Sequence, residues 1–270
     1  MTADGHRFVQ RSGNCTGRKY RPHFVISGPE PWHFIKGCKT MTVAQVIKLL
    51  RENQDPRGIA HWKKKPRELE SFGIGLTRLR KFSKQIGRDH ELAQQLWKSE
   101  FYDARVIGLL IDDPKQLTRE QVEQQVEELH GGQFAHVFAS CDATLAKAPF
   151  AFDVARDWMD SEDHMRRRCA YTLFYELSKK NPKGMDDAFL LARIAHIQDT
   201  ILCEEMWVRE GMAGALLGIG KRNSVLNAAA VAAATAIGPL EIDYGNDNSC
   251  EPIDLLKHLT SDYLKKKLNL

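Results

Sequence analysis

The sequence has no apolar run of about 18 residues, the length a helix needs to cross a bilayer, so we expect no membrane segment. Six cysteines stand at unrelated positions without a Cys-x-x-Cys pair. That pattern is typical of reduced thiols and argues against a disulfide framework or a cysteine zinc site. P-loop, Rossmann, HExxH and nucleophile-elbow motifs are also absent, which removes support for the enzyme classes that use them. We therefore expect no bound metal and no cofactor.

The charge is unevenly distributed along the chain. The net charge of +4 combines +5 in residues 1–40, +8 in residues 57–88 and −9 in the remainder. Apolar residues make up 43% and charged residues 27%, which is typical of a folded globular protein. A dense basic segment on such a protein favours a localised contact with a polyanion, and a solvated lysine-rich surface is the alternative.

Residues 1–40 contain glycine, proline and scattered aromatics without a sustained period. We expect a disordered N-terminal extension here. As the location of the protein, we expect the cytoplasm, in association with the nucleoid. An organellar transit peptide is the alternative, but the glycines and prolines fit an amphipathic helix badly. Thr42 is the expected N-cap of the first helix. The expected folded domain covers residues 41–250, followed by a C-terminal helix or tail over 251–270.

Residues 53–75 have a loop composition, and the chain beyond them shows a 3.6-residue period nearly to its end. No alternating strand pattern occurs, so we predict an all-α fold. The predicted helices are Leu76–Ile86, Glu91–Trp97, Ala104–Ile111, Arg119–Leu129, Phe134–Ala146, Phe152–Met159, Met165–Ser178, Asp186–Ile197, Glu204–Ile219, Val225–Ile237 and Ile253–Leu268.

The helices also repeat as a unit of a short helix, a connection and a longer helix. Glu91–Trp97 precedes a helix with Arg105 near its start, and Phe152–Trp158 precedes one that carries Arg168. Such a unit cannot bury its apolar stripe alone, so we predict that neighbours stack into an α-solenoid with a concave face. A plain orthogonal helical bundle is the alternative.

Three motifs in a fixed order carry a more specific signal. They are Asp89–Ala93 with Asp112–Pro114, then Ser140–Leu145, then Ile219–Asn223 with Leu226–Ala230. Over roughly residues 41–250 the sequence resembles the DNA alkylation repair family of HEAT-like-repeat proteins, the AlkD-like alkylpurine DNA glycosylases. The resemblance implies stacked helical pairs that hold double-stranded DNA against a basic concave face. It also implies release of cationic N3- or N7-alkylated purines from the duplex without a metal.

The chemistry explains which side chains that reaction needs. As the glycosidic bond breaks, the sugar becomes oxocarbenium-like and positively charged. A carboxylate beside it stabilises the charge and orients the attacking water. Aromatic faces add attraction to the cationic group.

The resemblance assigns these roles to particular positions. The family segment Trp-Asp-x-Cys-Asp places the catalytic carboxylate at Asp142, with Phe138 in place of the tryptophan and Ala139 in place of the first aspartate. A second family tryptophan corresponds to Gly214. Arg168 matches an arginine that helps to hold the active-site face and the DNA backbone.

The candidate DNA-contacting residues are basic and come from the repeat helices and the segment 57–88. Arg105 shares the expected repeat position of Arg168, and structural pairing with Asp103, Asp112 or Glu176 is the alternative for both. The remaining candidates are Lys63, Lys64, Lys65, Arg78 and Lys81.

Three functional hypotheses follow. The first is a monomeric, monofunctional DNA glycosylase that hydrolyses the N-glycosidic bond of cationic alkylpurines. The second is a non-catalytic or weakly catalytic relative that binds duplex or structurally unusual DNA, which the losses at Phe138 and Gly214 favour. The third is a helical-repeat scaffold that binds another protein.

Overall fold

The computed structural model describes residues 41–64, 67–129, 132–140, 143–244 and 251–270. Residues 40–270 form one compact unit. The N-terminal extension predicted for residues 1–40 lies outside the described residues. No helix within the described ranges is long and apolar enough to cross a membrane.

The regular elements of the described chain are α-helices, with two short 3-10 turns and one isolated bridge between Glu70 and Phe101. The all-α prediction is therefore confirmed. The helices are α1 Val43–Glu52, α2 Pro56–Trp62, α3 Leu76–Ile86, α4 His90–Trp97, α5 Tyr102–Ile111, α6 Arg119–Glu127, α7 Gly132–Ala139, α8 Ala151–Trp158, α9 His164–Ser178, α10 Asp187–Thr200, α11 Met206–Gly220, α12 Ser224–Ile237, α13 Leu255–Leu259 and α14 Asp262–Leu268.

The helices stack in two rows around one apolar core. Helices α5, α7, α9 and α11 form one row, in which each packs against the next. Helix α4 packs on α5, α8 on α9, and α10 on both α11 and α12. The α9–α11 contact is the most extensive of these. The predicted stack of helical pairs is thus confirmed, and the row α5–α7–α9–α11 positions the candidate site.

Helix α2 corrects the prediction of a loop over residues 53–75. The Asp55 carboxylate accepts a hydrogen bond from the Arg57 amide at 2.9 Å, and Pro56 occupies the first turn. At the other end, Trp62 Nε1 donates to the Leu69 carbonyl at 2.8 Å. A seven-residue helix without a single buried residue has no apolar period for a pattern search to detect.

Helix α7 ends at Ala139 and is shorter than the predicted Phe134–Ala146, because Thr144 is bonded to the end of α5 and does not continue the helix. Ser140 Oγ donates to the His136 carbonyl at 2.6 Å. Thr144 Oγ1 lies within hydrogen-bond distance of the carbonyls of Leu109 (3.1 Å) and Asp112 (3.0 Å), which ties the segment to the end of α5. Among the described residues of the motif Ser140–Leu145, Ser140, Ala143 and Thr144 therefore lie outside a helix, and Leu145 begins a 3-10 turn.

The motif of residues 89–93 with 112–114 is structural. Asp89 caps α4 by accepting from the Leu92 amide at 3.0 Å. Asp112 is 4% exposed and lies 2.7 Å from His90 Nδ1, and it accepts from the side-chain amides of Gln94 and Gln121. Its carboxylate thus holds the start of α4, the end of α5 and α6 together.

A tryptophan, an arginine and a glutamate join the repeats on one side of the stack. Trp97 Nε1 donates to Glu128 at 2.9 Å. The Arg105 guanidinium lies over the Trp97 ring at 5.4 Å, pairs with Glu128 at 3.3 Å and donates to the Ser99 carbonyl. Arg105 therefore has a structural role, with partners other than the acidic residues that the sequence suggested.

The same arrangement recurs one repeat later. Trp158 Nε1 donates to Glu123 at 2.9 Å, and Arg166 lies over the Trp158 ring at 5.9 Å and pairs with Glu123 at 3.2 Å. The repeat equivalent of Arg105 is thus Arg166. The prediction that Arg168 holds this position is wrong, because the residue eight positions after the repeat tryptophan is Arg166.

Candidate active-site cleft

A cleft of about 350 Å³ opens between α7, α9 and α11. Helix α9 contributes Thr172, Tyr175 and Glu176. These residues lie three or four positions apart and therefore share one face of the helix. That spacing is visible in the sequence, but the sequence does not show which neighbouring helix the face meets.

Helix α11 forms the opposite wall with Glu210, Gly214 and Leu217, which again follow the helical period. A Cβ atom added at Gly214 would meet no atom within 4 Å. The position that carries a tryptophan in the family is therefore open space here, and the cleft has the room for an aromatic side chain.

Helix α7 contributes His136, and Ser140, which directly follows its last residue, lies beside it in the wall. Phe138 lies about 200° around the helix from His136. It is 1% exposed and stacks on Trp158 with 6.4 Å between ring centroids. The prediction that the Phe138 ring faces the substrate is wrong, because the helical register directs this ring into the core.

Asp142 and Cys141 lie outside the described residues. In the sequence Asp142 follows Ser140, a residue of the cleft wall, by two positions. The catalytic role of the Asp142 carboxylate stays a prediction.

Two other carboxylates line the cleft, and sequence reasoning did not assign them to the site. Glu210 lies 3.6 Å from an Arg168 guanidinium nitrogen, and Glu176 accepts from Lys179 Nζ at 3.0 Å. Each carboxylate already pairs with one cation, and its remaining acceptor sites can still attract a cationic group in the cleft. This arrangement suits the positive charge of an alkylated purine or of an oxocarbenium-like sugar.

Arg168 stands behind this wall. It is 3% exposed, and its guanidinium lies 4.8 Å from the centre of the Trp207 ring. Burial lowers the pKa of Arg168, and the nearby Glu210 opposes that shift. So little exposed surface disfavours the predicted direct contact with a DNA phosphate. Its geometry instead suits the positioning of Glu210.

Among the described residues that line the cleft, Tyr175 is the one tyrosine, and no phenylalanine or tryptophan joins it. Lys179 Nζ lies 4.1 Å from the centre of this ring, so one ring face already holds a cation. Trp207 is not part of the cleft wall and packs near Tyr244 and Arg168. It therefore does not replace the aromatic side chain that is absent at Gly214.

Among the basic candidates, Lys63, Lys64, Arg78 and Lys81 are exposed. Arg78 also donates to the Asn53 side-chain oxygen at 3.0 Å. Lys65 lies outside the described residues. Contact of these cations with a phosphate backbone stays a prediction.

Among the described residues, no group of three or more His, Cys, Asp or Glu has the arrangement of a metal site. The metal-free reaction inferred from the family resemblance stays a prediction.

Stacked helical pairs with a polar cleft on one row of helices define the class of helical-repeat proteins. Within this class, the family model described as DNA alkylation repair enzyme matches residues 46–246. The chain belongs to this family, as the three sequence motifs predicted.

Two relatives are uncharacterized proteins of Listeria. That of Listeria innocua is 22% identical and that of Listeria monocytogenes 23%, each over 72% of this chain and 84% of the relative. A solved structure matches the fold with a TM-score of 0.72 and 19% identity, over 85% of this chain and 97% of that one. It is described as a new family of proteins related to the HEAT-like repeat DNA glycosylases with affinity for branched DNA structures.

Proposed function

We propose that this protein binds DNA in the cleft between α7, α9 and α11 and releases cationic N3- or N7-alkylated purines. It acts as a monofunctional glycosylase that hydrolyses the N-glycosidic bond. The observation that carries the proposal is the pair of carboxylates, Glu176 and Glu210, across a cleft whose wall precedes Asp142 in the chain. Membership of the DNA alkylation repair enzyme family supports it.

The positive charge of the alkylated purine determines the role of each residue in the cleft. An alkylated purine is cationic and leaves as a neutral base, so the reaction needs little general-acid assistance. Asp142 stabilises the oxocarbenium-like sugar and orients the water. Glu176 and Glu210 add negative potential around the cationic group, and Arg168 keeps the Glu210 side chain in place.

The test is incubation with duplex DNA that carries a single N7-methylguanine or N3-methyladenine, followed by alkaline cleavage of abasic sites. Asp142→Asn keeps the shape of the side chain but removes its charge. We expect it to lower the single-turnover rate by roughly 10²–10³ while DNA affinity stays near that of wild type.

Asp199→Asn is the matched control, because it removes the same charge at an exposed position on α10. It should leave the rate unchanged. If Asp142→Asn instead lowered the melting temperature and left the folded fraction fully active, Asp142 would be a structural carboxylate.

Binding of branched DNA without excision is the second candidate function. The loss of both family aromatic positions favours it, because Phe138 is buried and Gly214 has no side chain. The related solved structure is described as having affinity for branched DNA. In this case the wild type binds a three- or four-way junction more tightly than a duplex of equal length and releases no base from either substrate.

Gly214→Trp separates the two candidates. The open space at Gly214 accommodates a larger side chain, and the indole face adds cation–π attraction in the cleft. If the protein is a glycosylase, this variant should raise the excision rate. If it is a junction-binding protein, the indole should only fill the cleft and weaken junction binding.

A further inference from the structure

A second cavity, of about 540 Å³, lies next to the candidate cleft, and Tyr175 lines both. It forms where the ends of α9 and α11 meet the start of α12 and the C-terminal helix α14. Its charge differs from that of the cleft, because four cations line it: Lys179, Lys221, Arg222 and Lys267.

The cavity contains the ammonium group of Lys221, whose charge is not paired with a carboxylate of the described chain. Among the described residues, its ammonium group has no hydrogen-bond or ion-pair partner. Burial lowers the pKa of Lys221, and the positive charges of Lys179 and Lys267 lower it further. A partly buried cation that faces other cations is unfavourable unless an anion joins them.

The C-terminal helix brings one of these cations from far along the chain. Lys267 Nζ lies 3.3 Å from the Lys221 backbone carbonyl, 46 residues away in sequence. Leu264 on the same helix is 1% exposed and anchors α14 to the core. The basic C-terminus is therefore part of the cavity wall, although its composition alone suggests a solvated end.

The remaining polar groups are held in place by bonds to their neighbours. The Arg222 guanidinium donates to the Asn181 side-chain oxygen, and Lys179 pairs with Glu176 at 3.0 Å. The one carboxylate of the wall, Asp187, accepts from Asn223 Nδ2 at 2.8 Å. This bond uses one acceptor site of Asp187, and the four cations of the wall outnumber this single carboxylate.

We propose that this cavity binds a phosphate group of the DNA backbone, with Lys221 as the principal contact and Lys267 as a second one. The proposal rests on the DNA binding proposed above. A phosphate offers the acceptor oxygens that ammonium and guanidinium groups bind by charge-assisted hydrogen bonds.

Its position selects the DNA backbone as the source of that phosphate. Tyr175 lines both the cavity and the cleft, so the cavity adjoins the proposed DNA site, and we take a backbone phosphate as its ligand. Free inorganic phosphate has the same chemistry, so the experiment has to distinguish the two sources.

The test compares Lys221→Gln and Lys267→Gln with Lys266→Gln as the matched control. Lys266 is an exposed neighbour on the same helix that does not line the cavity. Affinity for an undamaged duplex is measured by fluorescence anisotropy over a series of salt concentrations. Each of the two cavity variants should bind more weakly and flatten the plot of log K against log salt by about 0.9, the value for one phosphate contact. Lys266→Gln should retain the wild-type slope.

Thermal unfolding without DNA excludes misfolding as the cause. Lys221→Gln removes a repelled charge, so its melting temperature should equal or exceed that of wild type. A lower melting temperature together with an unchanged salt slope would make Lys221 a structural residue and overturn the proposal.

Titration of the free protein with inorganic phosphate, followed by the amide NMR signals of Lys221 and Arg222, identifies the source. Shifts of these signals, together with wild-type DNA affinity in Lys221→Gln, would make this a free-anion site and overturn the assignment to DNA.

None of these measurements uses base excision. A wild-type protein that releases no base refutes the glycosylase function but leaves the phosphate site testable. A protein that excises normally but binds DNA independently of Lys221 refutes the phosphate site alone.

Discussion

His136 and Phe138 lie two residues apart on α7, yet one lines the cleft and the other packs in the core. His136 is exposed, whereas Phe138 is 1% exposed against Trp158. A rotation of about 100° per residue separates their directions. A motif residue therefore contributes to the site only if its side chain lies on the face of the helix that lines the cleft.

This burial gives a prediction for Phe138→Trp. The indole is larger than the phenyl ring and has no space in a close-packed core, so overpacking should lower the free energy of unfolding by about 1–3 kcal/mol. Urea unfolding measures this change. A raised excision rate without loss of stability would contradict the buried position of the ring.

A second prediction at this scale concerns the two cysteines that the structure describes. Cys169 is buried and Cys203 is exposed. Burial raises the pKa of the Cys169 thiol to about 12. Because the thiolate is the reactive form, Cys169 should stay unmodified by a maleimide at pH 8 in the folded protein.

Peptide-resolved mass spectrometry after a short labelling pulse checks this difference. Cys203 should react first, and Cys169 should react at a comparable rate only after denaturant unfolds the chain. Raising the pH from 7 to 9 should leave Cys169 protected, since 9 is still far below its pKa. Equal labelling of the two in the folded state would refute the burial of Cys169.

At the scale of helices, α9 and α11 pack against each other and form two walls of the cleft. Their close packing depends on small residues. A Cβ atom at Gly218 would lie 2.6 Å from Ser178 Oγ and 3.1 Å from Tyr175 Cα. One at Gly211 would lie 3.1 Å from the Arg168 carbonyl. The absence of side chains at these glycines lets the two helices approach closely.

Gly218→Ala should therefore destabilise the protein by about 1–3 kcal/mol, because the new methyl group overpacks the α9–α11 contact. Gly214→Ala is the matched control on the same helix, where a Cβ atom meets nothing within 4 Å. It should stabilise the protein by up to about 1 kcal/mol through helix propensity alone. Chemical denaturation of both variants gives the comparison, and equal effects would show that the close approach is not limiting.

At the scale of the whole molecule, the two candidate DNA contacts arise from different parts of the chain. The basic segment 57–88 reaches solvent through α2, the turn after it and α3. The basic cavity combines α9, α11, α12 and α14. If both surfaces bind DNA as proposed, they would hold a long duplex or two arms of a branched one.

Replacement of Lys63, Lys64 and Lys65 by alanine tests the first surface. Affinity for duplex DNA should fall for every sequence, and the salt dependence should become less steep, because fewer counterions are released on binding. Fluorescence anisotropy at several salt concentrations measures both quantities. Unchanged affinity would assign the phosphate contacts to the basic cavity instead.

Parts of the candidate site were predictable from sequence and parts were not. The family motifs predicted the catalytic candidate Asp142 and the unusual glycine at Gly214. They did not predict Glu210, because its position opposite Glu176 depends on the packing of α11 against α9. The repeat pattern also assigned Arg168 to the position that Arg166 holds. Residues 166–168 are all arginine, so the sequence does not show which of the three is the repeat equivalent of Arg105.

The sequence by itself determined the all-α class, most of the helices, the stack of helical pairs and the family. These features rest on local periodicity, capping residues and motif order, all of which are properties of short segments. The tertiary structure alone decided which helix faces meet. It buried Phe138, placed two carboxylates across the cleft and brought Lys267 to Lys221. Contacts between residues far apart in the chain depend on how the apolar faces of the helices pack together. A local sequence pattern does not specify that packing.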